Sequence, residues 1–166
     1  MSASGATPVA DKRSQGAQPA NTNALKSGTH AHALIRAREL VALDEEGIMP
    51  EVPVSRAGWA RLFGTDVKAV EMAERRLAKS LARQEGLPVV GLPALSPLAR
   101  QRLALLNLLK RATMAGIAYG YALYEQASPG FFAHVRLLAR DERRIRDLEQ
   151  RVIQDLADAA APEAKR

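Results

Sequence analysis

The chain has 166 residues, a formal net charge of +6, 47% hydrophobic and 4% aromatic residues, and no cysteine. Without cysteine there is no disulfide framework and no thiolate metal site, and the lack of β-branched or aromatic runs argues against a core built from strands. No apolar stretch reaches signal-peptide or membrane-spanning length, so a cytoplasmic protein without membrane association is expected. The excess of 24 Lys and Arg over 18 acids is moderate. It suits nucleic acid, an anionic surface or an acidic partner, and selects none of them alone.

Residues 1–23 are rich in Ala, Ser, Gly, Gln, Pro and Asn, without apolar periodicity. Such a composition cannot offset the entropy of ordering, so a disordered tail is expected. Residues 24–86 form a helical module. In 29–46, Ala33, Leu34, Ala37, Leu40 and Val41 recur at helical spacing. Asp44, Glu45 and Glu46 then sit at the helix C-terminus against its dipole, and that end is expected to fray. Pro50 and Pro53 mark an extended connection. Ser55 opens a short helix that Gly64 stops, and Thr65 or Asp66 caps a second helix running to about Gln84.

The stretch from Trp59 to Val70 has the pattern of a helix-turn-helix. Ala60 lets a second helix cross closely, Gly64 supplies the positive φ of the turn, and Val70 points back at the first helix. Trp59, Phe63 and Val67 complete a small core. In this reading the second helix enters the major groove of double-stranded DNA, with Lys68, Arg75, Arg76 and Lys79 reaching bases or phosphates. Arg56 and Arg61 hold the backbone from the first helix. Glu71 and Glu74 on the same helix stand against it, since glutamate repels phosphate. The plainer alternative is a helix–Gly–helix corner with solvated charges.

Residues 87–95 form an apolar linker or a single edge strand, with Gly91 and Pro93. Ser96-Pro97 then starts a long helix to about Gln126. Ser128-Pro129-Gly130 turns the chain into a last helix ending near Ala160, and 161–166 form a tail. So short a turn between long helices makes residues 96–160 an antiparallel hairpin. The fold class is therefore all-α, an N-terminal helix-turn-helix-like module followed by a long helical hairpin. The first hairpin helix is apolar on several faces, which suggests burial in an oligomer or against the N-terminal module. The second carries one apolar stripe, Val135, Leu138, Ile145, Leu148 and Val152. Ala112, Gly116 and Gly120 are spaced by four along one face of the first, where close helix packing offsets the cost of helical glycine. Together with Leu138, Ile145, Leu148 and Val152 they form the expected homo-oligomer interface.

Catalytic chemistry is not expected. There is no Gly-rich phosphate loop, and no nucleophile–base pair or cofactor site is recognisable. His30 and His32 lack the carboxylates or thiols that would complete a metal site. Asp141-Glu142, flanked by arginines, reads as a salt-bridged surface, and His134 as structural.

The segment Asn21-Thr22-Asn23-Ala24-Leu25-Lys26-Ser27-Gly28 resembles the GNTNALKHG segment near the N-terminus of phage small-terminase-like proteins. It departs from that pattern at Ala20, where glycine is common, and at Ser27, which replaces histidine. The same segment occurs in mobile-element proteins. The resemblance implies a ring that binds the packaging site and delivers DNA to a large terminase subunit carrying the ATPase and nuclease. The order of elements is similar too, a helix-turn-helix module before antiparallel assembly helices. Two other functions stay open on the sequence: a helix-turn-helix transcription regulator of a mobile element, and a structural or adaptor virion protein that does not bind DNA.

Overall fold

The computed structural model describes residues 29–48 and 54–164, with side chains described for 35–48 and 54–161. The expected tail over 1–23, the segment 21–28, Pro50, Pro53 and the side chains of His30 and His32 lie outside the described residues. Five α-helices follow one another: α1 (Thr29–Glu45), α2 (Arg56–Leu62), α3 (Val67–Gln84), α4 (Pro97–Glu125) and α5 (Phe131–Ala164). A 3-10 turn, Leu92–Ala94, lies in the linker where an edge strand was an alternative. The described residues contain no strand. The last helix runs past Ala160 to Ala164.

The helix starts follow capping chemistry. Ser55, Asp66 and Ser96 each accept a backbone N–H with their side chain, from Gly58, Ala69 and Ala99 respectively. Of the two possible caps before α3, Asp66 takes the role, at 2.7 Å. The turn between α2 and α3 is closed by the Thr65 N–H donating to the Ala60 carbonyl at 2.9 Å. Gly64 has φ +61°, as the helix-turn-helix pattern requires. Ala60 and Val70 are both buried.

Helices α4 and α5 pair antiparallel along most of their length. His134 lies against Gly120 near the turn, Lys110 meets Glu149 at 2.9 Å, and Arg102 meets Asp155 at 3.0 Å near the open end. The turn itself forces Ala127 to φ 49°. α1 packs on both hairpin helices, mainly on α4, and α3 packs on α4 as well. The core is one continuous cluster. It includes Leu40 of α1, Trp59 of α2, Val70 and Leu81 of α3, Leu103 to Leu106 with Leu108 and Leu109 of α4, and Leu148, Val152 and Leu156 of α5. The several apolar faces at the start of α4 are thus covered within the chain, by the N-terminal module and α5.

Buried charge pairs orient these helices. Asp44 does not sit at a frayed end. Its buried carboxylate accepts from Arg102 Nε at 2.9 Å and lies 3.4 Å from Arg151 Nε, so two cations of the hairpin outweigh the helix dipole. Arg38 donates two hydrogen bonds to Asp141, at 2.9 and 2.7 Å, and Asp141 is buried rather than part of the surface. Burial raises the Asp155 carboxyl above its usual range, against the pull of Arg102.

A Cβ at Gly64 would meet nothing within 4 Å, so a substitution there acts through the backbone alone. Gly64→Val is expected to cost about 1–2 kcal/mol, because left-handed backbone is unfavourable for L-residues and worst for β-branched ones. Asn tolerates that conformation, and Gly64→Asn should cost clearly less. Equal destabilisation by the two variants in urea unfolding would contradict this account of the turn.

Candidate nucleic-acid interface

Helix α3 divides cleanly into two faces. Val70, Glu74, Ala78, Leu81 and Ala82 are buried. Lys68, Met72, Arg75, Arg76, Lys79 and Arg83 are exposed and project from the opposite side of the helix, as 100° per residue requires. Among the described residues none of these cations forms an ion pair with a carboxylate within 4.0 Å. Arg61 of α2 is exposed as well.

Of the two acids expected to spoil this face, Glu74 is withdrawn from it. Glu74 has a side chain only 1% exposed. It receives Arg56 Nε at 3.0 and 3.1 Å and Nη2 at 3.0 Å. A forked guanidinium contact is the strong geometry for a carboxylate. The sequence pattern assigns Arg56 to a DNA backbone. Its fork is instead committed to Glu74, because α2 crosses α3 at that level and a buried carboxylate needs a cation. Glu71 is half-buried and lines a pocket of about 340 Å³ with Arg56, Arg75, Arg100 and Gln101, so it borders the outer face at Arg75.

Five of the six cations named from the sequence, Arg61, Lys68, Arg75, Arg76 and Lys79, are thus exposed on the corner, and the sixth, Arg56, is half-buried and paired with Glu74. Arg83 is a further cation of this face that sequence reasoning missed. It continues the spacing of Met72, Arg76 and Lys79 by one further turn, which is the signal that would have found it.

Further contacts hold the corner against the hairpin. Asn107 donates to the Val70 carbonyl at 3.4 Å, Gln101 accepts the Val54 N–H at 2.8 Å, and Arg111 lies 5.7 Å from the Phe63 ring centroid. Phe63 in turn meets Trp59 edge-on, with centroids 6.2 Å apart. Such a fixed corner presents its basic face as a rigid surface.

The residues expected at an oligomer interface lie inside the hairpin of one chain. Ala112, Gly116 and Gly120 are buried. The Gly116 carbonyl accepts His134 Nε2 at 2.6 Å. A Cβ on Gly120 would come 3.3 Å from the His134 ring. Leu148 and Val152 are buried in the core, and Ile145 is packed partly against it. Leu138 is half-buried beside Gly120. The glycine stripe is occupied by α5 of the same chain, because the short connection folds α5 back onto it. Val135, expected on the apolar stripe of α5, instead points outward at 42% exposure, while His134 and Asp141 occupy inward positions.

Among the described residues no group of three or more metal-ligating side chains is close enough to hold an ion, and no helix is long and apolar enough to cross a membrane. No protein-family model, curated protein or solved structure matches the chain.

The Arg56–Glu74 pair gives a pH-dependent expectation. Burial raises the Glu74 carboxyl above its ordinary value of 4.5, against the hydrogen bonds and charge of Arg56. A carboxyl with a raised folded pKa favours the folded state when protonated, so its contribution is lost as pH rises through the folded value. Arg56→Met leaves the carboxylate buried without its cation and raises that value further. The variant should be destabilised by roughly 3 kcal/mol at neutral pH, and the deficit should shrink as pH falls toward 4.5. Urea unfolding at several pH values checks this. A deficit that stays constant from neutral to acid pH would show that Glu74 is not the cause.

Proposed function

We propose that the chain binds double-stranded DNA through α3 and Arg61, as an assembly protein of the phage small-terminase type. The observation that carries this reading is the outer face of α3. It holds five exposed cations, Lys68, Arg75, Arg76, Lys79 and Arg83, without an ion pair to a carboxylate among the described residues. α3 follows a tight Gly64 turn, and the second helix of such a corner is the one that enters the major groove. Displacing counterions from DNA would drive binding, with side chains at base edges adding selectivity.

The packaging role is the finer part of the proposal. It draws on the resemblance of Asn21 to Gly28 and on the order of elements, a basic corner before a helical hairpin. In that role the chain has no catalysis of its own and hands DNA to a larger subunit with ATPase and nuclease activity.

The test is fluorescence anisotropy of a labelled duplex at several salt concentrations. Replacing Arg75, Arg76 and Arg83 with alanine should weaken binding and lower the slope of log K against log salt by about 2–3, near 0.9 for each phosphate that is no longer neutralised. The exposed Arg136, Arg140 and Arg143 on α5 serve as the control for the same change of net charge, and their replacement should leave the slope nearly unchanged. Equal effects of the two sets, or none from the first, would remove α3 from any DNA interface.

A further inference from the structure

The end of the hairpin nearest its turn carries an apolar surface that the other described residues do not cover. On α4, Met114, Tyr121 and Tyr124 are 65%, 70% and 67% exposed, and Ile117 is 36% exposed. Their spacing of three, four and three keeps them on one stripe. On α5, Phe132 is 71% exposed and Val135 42%. Phe131 joins the two sides, with ring centroids 5.5 Å from Tyr124 and 5.3 Å from Phe132. Between the helices runs a groove of about 330 Å³ whose lining, from Ile117 to Leu138, contains no charged residue.

We infer that this tip is the surface on which a second copy of the chain docks, in a two-fold contact of tip against tip. Its size is the first reason. At roughly 200 Å² for a whole aromatic or methionine residue, these side chains expose on the order of 700 Å². That exceeds the ~300–600 Å² of the largest apolar patch on an ordinary monomer, and it approaches the ~800 Å² that each partner gives to a standard interface. The second reason is charge. A chain of net charge +6 repels its own copies across most of its surface, whereas an uncharged groove meets its own copy without burying an ion. A two-fold contact needs a patch complementary to itself, and a row of aromatic rings at a groove meets that need by interleaving. Tyrosine also suits such a place, because its ring is buried while its hydroxyl stays at the wet rim.

A two-fold contact closes as a pair and does not by itself build a ring, so docking at the tip rests neither on the packaging role nor on DNA contact by α3. The salt-slope experiment and the one below therefore fail separately. The glycine stripe expected from the sequence to bind another chain is filled by α5, and the tip is an apolar surface that stays exposed among the described residues.

Sedimentation of the full chain at micromolar concentration, without DNA, tests the inference. The wild type should have the mass of two chains or an even multiple. Tyr121→Gln with Phe132→Gln removes two exposed rings and should raise the dissociation constant at least ~100-fold, as expected when two central aromatic anchors are removed. Far-ultraviolet circular dichroism should show the same helical content in the variant, since neither ring is part of the core. Met114→Gln with Val135→Gln provides a second pair, for which the same fall in mass is expected. A wild-type monomer, an odd-numbered assembly, or an assembly that both folded variants leave intact would each overturn the tip contact.

Discussion

Four consecutive residues of α4, Leu103, Ala104, Leu105 and Leu106, point in four directions around one helix, and all are buried. No single partner helix can cover such a segment, because a helix contact shields only one side. The chain meets this demand from three directions, with α1, α3 and α5 all packed on α4. The other helices take their places from that requirement. The helix-turn-helix-like corner is consequently not a separate bead on a linker. Val70 and Leu81 share a core with Leu148 and Leu156, and the corner is held rigidly to the hairpin.

Apolar packing of Ala and Leu is permissive about how a helix is rotated or shifted. In this core the buried ion pairs are specific about it. Asp44 meets Arg102 and Arg151, Arg38 meets Asp141, and Arg56 meets Glu74. A shift of any of these helices by one residue would leave a buried carboxylate without its cation, at a cost of several kcal/mol. The last pair links structure to surface chemistry. By drawing Glu74 inward it rotates α3 so that its solvent side carries Lys68, Arg75, Arg76, Lys79 and Arg83. The same pairing removes Arg56 from that surface, so one internal contact both clears an acid from the face and takes up a cation.

Much of this is legible in the sequence. Helical composition, the caps at Ser55, Asp66 and Ser96, the positive φ at Gly64 and the hairpin after Ser128 are local matters, set by residues a few positions apart. What escapes sequence reasoning is decided by distant partners. Nothing near Asp44 announces Arg102 or Arg151, and without them an acid at a helix C-terminus does read as a fraying end. Glu74 looks like a solvated charge because its partner Arg56 belongs to another helix. The Gly116/Gly120 stripe correctly signals close approach. Its partner, His134 of the same chain, cannot be told from a second chain by spacing alone. Val135 is apolar and so reads as inward, yet it points outward while His134 and Asp141 of the same helix turn inward, each satisfied by a polar partner on a neighbouring helix.

The central claim is that the outer face of α3 is the surface that meets DNA. Lysine acetylation footprinting with and without duplex DNA tests it without any substitution. Lys68 and Lys79 lie on that face, whereas Lys110 on α4 is paired with Glu149. DNA should protect Lys68 and Lys79 from the reagent and leave the reactivity of Lys110 unchanged. Equal labelling of Lys68 and Lys79 in bound and free protein would contradict the claim.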